Sequence, residues 1–112
     1  MADKDLVWLH GEVKTPPFSE EGRSRAGYLL RLLQQGNLLG MPDSRPMAVI
    51  GPRCHELRVR DPGLGMTWRV IYRIDEDAIV IADVFAKKTT KTPAEAIAAC
   101  QRRLSHYDAC KE

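Results

Sequence analysis

Apolar residues along this chain fall into three spacing regimes, and each predicts a different kind of element. Leu6-Val7-Trp8-Leu9 is a short continuous apolar run that predicts an opening strand, broken by Gly11 and by Thr15-Pro16-Pro17, because proline fixes its backbone and removes a ladder donor. Gly22, Ala26, Leu29, Leu30 and Leu33 then recur at steps of three and four, the signature of a helix with one buried face. Ser19 is suited to cap that helix and Glu20 and Glu21 to its positive end. With Gly36 as the stop, the pattern predicts a helix over 18–35. Gly22 and Gly27 lower its intrinsic propensity, which points to close approach by a neighbouring element.

Residues 36–52 read as a loop, since Gly40, Pro42, Pro46, Gly51 and Pro52 lie too close together for long regular structure. Three strand patterns follow at 53–60, 68–74 and 78–85. Asp61-Pro62-Gly63-Leu64-Gly65 and Asp75-Glu76-Asp77 supply short turns between them, so the strands form an antiparallel meander. Thr92-Pro93-Ala94-Glu95 has the form of a capping box with proline at the first helical position. Ile97, Cys100, Leu104 and Tyr107 continue it as the stripe of a helix over 93–108. The expected architecture is one α+β domain over 1–112, with an N-terminal helix packed on a small antiparallel sheet and a helix at the C-terminus.

Alternation along the strands decides which side chains share a face. Cys54, Glu56, Arg58 and Arg60 lie on one side of the first meander strand, and His55, Leu57 and Val59 on the other. In the second, Arg69, Ile71 and Arg73 oppose Trp68, Val70, Tyr72 and Ile74. The first helix is expected to cover Leu57, Val59, Val70 and Tyr72, leaving Arg58 and Arg69 on the open side. Ile79 to Phe85 is apolar on both sides and suits a strand covered twice. His55 reads as a structural histidine, His106 as a surface one, and Trp68 and Tyr72 as core aromatics.

Charge sharpens this picture. The formal net charge is only +2, but Arg45, Arg53, Arg58, Arg60, Arg69 and Arg73 meet only Glu56 and Asp61 between positions 44 and 73. Lys87-Lys88-Thr89-Thr90-Lys91 follows the last strand. A sheet face lined with guanidinium and ammonium groups suits phosphates, which makes RNA or another polyanion the expected partner. At 44% apolar and 29% charged residues the composition is that of a folded domain. The three cysteines, Cys54, Cys100 and Cys110, form no zinc-binding spacing. No apolar run is long enough to span a bilayer, and the expected setting is a reducing cytoplasm.

Glu56-Leu57-Arg58, Trp68-Arg69-Val70-Ile71-Tyr72 and the run from Val84-Phe85 through Lys87, Lys88 and Lys91 to Pro93 together resemble the RelE superfamily of bacterial toxins, closest to the phage-derived HigB-like branch. The likeness covers roughly residues 15–107. It implies the toxin of a type II toxin–antitoxin pair, an endoribonuclease that cuts mRNA on the ribosome and is held inactive by a co-encoded, HigA-like antitoxin with a helix-turn-helix. It also implies a reaction without metal or other cofactor, in which the ribose 2′-hydroxyl attacks the adjacent phosphate. By this resemblance Arg69 stabilises the phosphate, Arg58 points into the same groove, and Lys88 with Lys87 supplies a second catalytic cation. Arg53, Arg60, Arg73 and Lys91 are the expected RNA contacts. The chain departs from RelE in carrying Cys54 and Glu56 where that family has strand lysines, while His106-Tyr107-Asp108 resembles the C-terminal chemistry of HigB-type toxins. Two other readings share the fold or the charge: a ParE-like toxin that binds DNA gyrase without nuclease activity, and a non-toxic nucleic-acid-binding module.

Overall fold

The computed structural model describes residues 3–9, 18–86 and 92–111. In chain order the elements are β1 (Asp5–Trp8), α1 (Glu20–Gln34), β2 (Ser44–Pro46), β3 (Cys54–Asp61), β4 (Met66–Ile74), β5 (Ala78–Ala86) and α2 (Ala94–Cys110). The strands form one sheet in the order β1-β5-β4-β3-β2. β3, β4 and β5 are the antiparallel meander expected from their short turns. β1 pairs with β5 in parallel, Asp5 opposite Ala78 through Trp8 opposite Ile81, so the sheet is mixed rather than purely antiparallel. No described helix is long and apolar enough to cross a membrane.

β2 interrupts the stretch expected to be a loop. It has three residues and ends in Pro46, and proline is tolerated there because the strand is a sheet edge. Its pairing puts Arg45 opposite Glu56, a contact that shapes the site below.

Both faces of β5 are covered, which explains its two-sided apolar pattern. On one face, Phe18, Ala26, Leu29, Leu30 and Leu33 pack against Leu57, Val59, Trp68, Val70, Tyr72, Ile79 and Ile81. Phe18 meets Trp68 edge to face at 5.5 Å, a favoured aromatic geometry. On the other face, Cys100 and Leu104 of α2, with Met47 and Ile50, cover Cys54, Ile71, Ala78, Val80 and Ala82. Cys54 and Cys100 are therefore packing residues. Burial raises the pKa of both thiols, that of Cys100 to about 12, the opposite of an activated cysteine.

The ends of α1 follow the sequence signals. Ser19 Oγ accepts the Gly22 N–H at 3.3 Å, and Gly36 ends the helix at φ +93°, a conformation that glycine adopts without strain. Gly22 is buried against Asp61, where a Cβ would lie 2.4 Å from Oδ2. Gly27 differs from expectation: a Cβ at that position meets nothing within 4 Å, so no neighbouring element requires glycine there.

α2 starts without its expected capping box. Pro93 is the N-cap and makes no side-chain cap bond. Thr92 Oγ1 donates instead to Glu56 Oε2 at 2.7 Å, because an otherwise buried carboxylate on the adjacent sheet face competes for the hydroxyl.

Candidate functional site

The second sheet face is divided by α2. The helix covers the end where Cys54 pairs with Arg73, and no described element covers the end nearest the β3–β4 turn. There, Arg58 and Arg69 are direct cross-strand partners, and Arg60 stands opposite Thr67. These four residues, with Arg25, Pro42 and Asp43, line a cleft of about 420 Å³. Its walls come from α1, the segment before β2, β3 and β4. The Arg58 N–H donates to the Asp43 carbonyl at 2.7 Å, and Arg25 Nη2 lies 2.9 Å from Asp43 Oδ1, which ties the loop and helix walls to the sheet.

Like charges directly opposite on a ladder repel, so the Arg58–Arg69 pair needs compensation. Glu56 provides it from beneath. Its side chain is fully buried, 3.1 Å from Arg45 Nε and 3.8 Å from Arg69 Nε. Thr92 completes the arrangement by donating to Glu56 while its oxygen accepts from Arg45 Nη2 at 3.5 Å. Burial pulls the Arg69 pKa down, the Glu56 carboxylate pushes it up, and Arg58 and Arg45 pull it down further. A guanidinium stays charged through such shifts. The Nε–H groups of Arg58 and Arg69 are buried and have no hydrogen-bond partner among the described residues. These Nε–H groups face inward, that of Arg69 toward the Glu56 carboxylate, and a planar guanidinium fork suits phosphate oxygens.

The sequence-derived set is only partly brought together. Arg58, Arg60 and Arg69 share the cleft, while Lys87, Lys88 and Lys91 lie outside the described residues. The chain leaves at Ala86, paired with Trp68 beside Arg69, and returns at Thr92, bonded to Glu56. Both flanks of the lysine segment therefore border the row of Glu56 and Arg69.

Arg53 and Arg73 sit elsewhere. Arg73 follows Arg69 by four residues on the same face, roughly 13 Å along a strand, under the end that α2 covers. Its guanidinium bonds Asp75 at 2.7 and 2.8 Å and Asp108 at 2.9 and 2.7 Å. Those bonds raise its pKa and lower that of Asp108. Arg53 has φ 62° in the turn before β3; its Nε donates to the Ile74 carbonyl at 3.0 Å, and its Nη2 lies 3.6 Å from Asp75 Oδ1. Alternation correctly gave the face of Arg73 but could not say which part of that face a helix would cover. Arg73, one of the expected RNA contacts, joins α2 to the sheet through Asp108 and lies away from the cleft that Arg58, Arg60 and Arg69 line.

The histidines also separate. His55 stacks on Tyr72 at 5.2 Å and 18°, with its pKa lowered by burial. His106 lines a different groove with Leu9 and Tyr107, its Nε2 3.6 Å from Cys110 Sγ. Asp108 is engaged by Arg73. Sequence reasoning missed Arg25, Asp43 and Thr67. Thr67 was available from hairpin register as the partner of Arg60, whereas Arg25 looks like any solvated helix arginine until the fold brings α1 beside β3.

No curated protein matches this chain. Residues 17–105 match the phage-derived protein Gp49-like family (DUF891), a family of RelE-type toxin proteins, and the match spans most of the sequence, including all of α1 and every cleft residue. The chain belongs to the phage-derived Gp49-like family.

Proposed function

We propose that this protein is a HigB-like toxin of a type II toxin–antitoxin pair and acts as a ribosome-dependent mRNA endonuclease. The observation that carries this reading is the convergence of Arg58, Arg60 and Arg69 from two adjacent strands in one cleft. Such a cluster can grip one phosphodiester and offset the charge that builds on it during cleavage.

In the proposed reaction the substrate supplies its own nucleophile. The 2′-oxygen bonds to phosphorus, its proton passes to a base, and the bond from phosphorus to the 5′-oxygen breaks as that oxygen takes up a proton. The products are a 2′,3′-cyclic phosphate and a free 5′-hydroxyl. Arg69, held over Glu56, is assigned to the non-bridging oxygens, and Arg58 supports it from the neighbouring strand. Lys87 and Lys88 are assigned to the cationic and proton-transfer roles, since a lysine among other cations has a lowered pKa. Arg60 and Lys91 extend the contact along the RNA. The proposed partners are the ribosome, mRNA and a co-encoded HigA-like antitoxin, all met in the cytoplasm.

The test is induced expression without antitoxin, followed by mapping of mRNA ends. New ends with 5′-hydroxyls, accumulating as growth stops, are the expected result. Growth arrest with intact transcripts and DNA damage would establish gyrase as the target and overturn the nuclease reading.

A further inference from the structure

The solvent face of α1 carries Arg23, Arg25, Tyr28 and Arg31, a basic surface interrupted by an aromatic ring. Tyr28 is 58% exposed. Apolar ring surface left this open is available for burial against a ligand. Arg25 connects the ring to the cleft: its guanidinium carbon lies 5.8 Å from the Tyr28 ring centroid, and the same side chain lines the cleft with Arg58, Arg60 and Arg69. The neighbouring helix surface is open as well, since a Cβ at Gly27 meets nothing within 4 Å.

We infer that Arg25 and Tyr28 form a nucleobase subsite beside the arginine cleft, in which a base of single-stranded RNA stacks on Tyr28 while an adjoining phosphate lies among the arginines. The inference rests on the proposed RNA substrate and adds where the neighbouring nucleotide binds. Every base presents a π face, so stacking on an exposed aromatic tolerates sequence. Arg25 and Tyr28 are three residues apart on the helix, an axial rise of about 4.5 Å. The guanidinium lies over the Tyr28 ring, so one ring face carries a cation and the other is left for a base, which suits the alternation of phosphate and base in one strand. An acidic protein segment would satisfy the arginines but gives no comparable use to the ring between them.

The experiment titrates the full chain into a short 2′-O-methylated oligoribonucleotide, which cannot be cleaved, carrying 2-aminopurine as a stacking-sensitive fluorophore. Binding with quenching is expected for the natural sequence. Tyr28→Ala should abolish the quench and weaken binding by about 5- to 150-fold, and Tyr28→Phe should restore both. Inorganic pyrophosphate, a ligand without a base, should bind the Tyr28→Ala protein as it binds the natural one, and lose affinity in Arg58→Ala. Unchanged binding and quenching in Tyr28→Ala would overturn the subsite, as would failure of the natural protein to bind the oligonucleotide. Loss of antitoxin binding with RNA binding intact in Tyr28→Ala would overturn it in favour of a protein interface. Tyr28-dependent quenching by a protein that leaves mRNA uncut in cells would remove the nuclease proposal and keep the subsite.

Discussion

Thr92 Oγ1 donates to Glu56 Oε2 at 2.7 Å, joining the lead-in to α2 to a fully buried acid on the central part of the sheet. The contact explains two features at once: the missing helix cap and the neutralised floor beneath Arg69 and Arg45. A hydrogen bond to a charged group contributes about 1.5–3 kcal/mol. Thr92→Val should therefore destabilise the fold by an amount in that range. If the hydroxyl acts through Glu56, the loss should shrink in a Glu56→Gln background, which urea unfolding of the double-mutant cycle can measure. Additive losses would mean that Thr92 acts some other way.

Arg69→Ala should abolish growth arrest and reduce mRNA cleavage by roughly 100- to 1000-fold, the scale for losing a transition-state charge stabiliser. Its side chain is only 13% exposed but belongs to a strand whose inward neighbours, Trp68 and Val70, are anchored in the α1 core. Circular dichroism should therefore show the fold retained. Arrest at wild-type strength and equal abundance would remove Arg69 from the chemistry.

Arg73 should behave in the opposite way. Removing it leaves Asp75, which is 9% exposed, without the fork it pairs with, and breaking such a buried pair costs about 3 kcal/mol or more. Asp108 is half exposed at 53%, and Asp108→Asn should cost on the order of 1 kcal/mol or less. Thermal melts of Arg73→Met and Asp108→Asn compare the two. In Asp108→Asn, mRNA cleavage should stay near normal, because the cleft lies at the other end of β4.

Two glycines on one helix should respond with opposite signs. Gly27→Ala gains helix propensity in open space and should stabilise by about 0.5–1 kcal/mol. Gly22→Ala gains the same propensity but forces a methyl group against Asp61, and overpacking of this kind costs about 1–3 kcal/mol. The measured outcome should be net destabilisation. Denaturant midpoints of the two variants settle the comparison.

Asp61 links α1 to the hairpin, accepting from Ser19 N at 2.9 Å, from Ser19 Oγ, and from Trp68 Nε1 at 2.9 Å. Burial alone would raise its pKa, but these donors together hold it below the ordinary carboxylate value. A depressed folded-state pKa contributes stability that is fully present above the unfolded value near 4 and is lost as pH falls through the folded one. Melting temperature should thus drop below about pH 4. Asp61→Asn should be less stable at neutral pH, because its amide nitrogen cannot accept, and should show a shallower decline on acidification.

Local information went a long way here because the fold is built from elements with strong individual signals. The three- and four-residue steps from Gly22 to Leu33 and the alternation in β3 and β4 identified α1, the meander and the core face. Leu57, Val59, Val70 and Tyr72 all lie where that alternation put them. Ser19 and Gly36 marked the helix ends because capping and positive φ depend on a few adjacent residues. β2 escaped because three residues ending in proline carry no period; pairing with β3, not propensity, makes them a strand. Thr92 escaped for a similar reason, since a cap motif cannot register a distant acid that binds the same hydroxyl.

The amino-acid order alone determined that Arg58, Arg69 and Arg73 would occupy one face of the sheet, because strand alternation is a local property of the backbone. Only the tertiary structure decided which arginines have a cleft to line. α2 docks over one end of that face and leads Arg73 into Asp75 and Asp108. No described element covers the other end, where α1 and the segment before β2 bring Arg25 and Asp43 alongside Arg58, Arg60 and Arg69. Helix docking is set by the summed burial of apolar side chains such as Cys100 and Leu104, a long-range quantity that no short window of sequence contains.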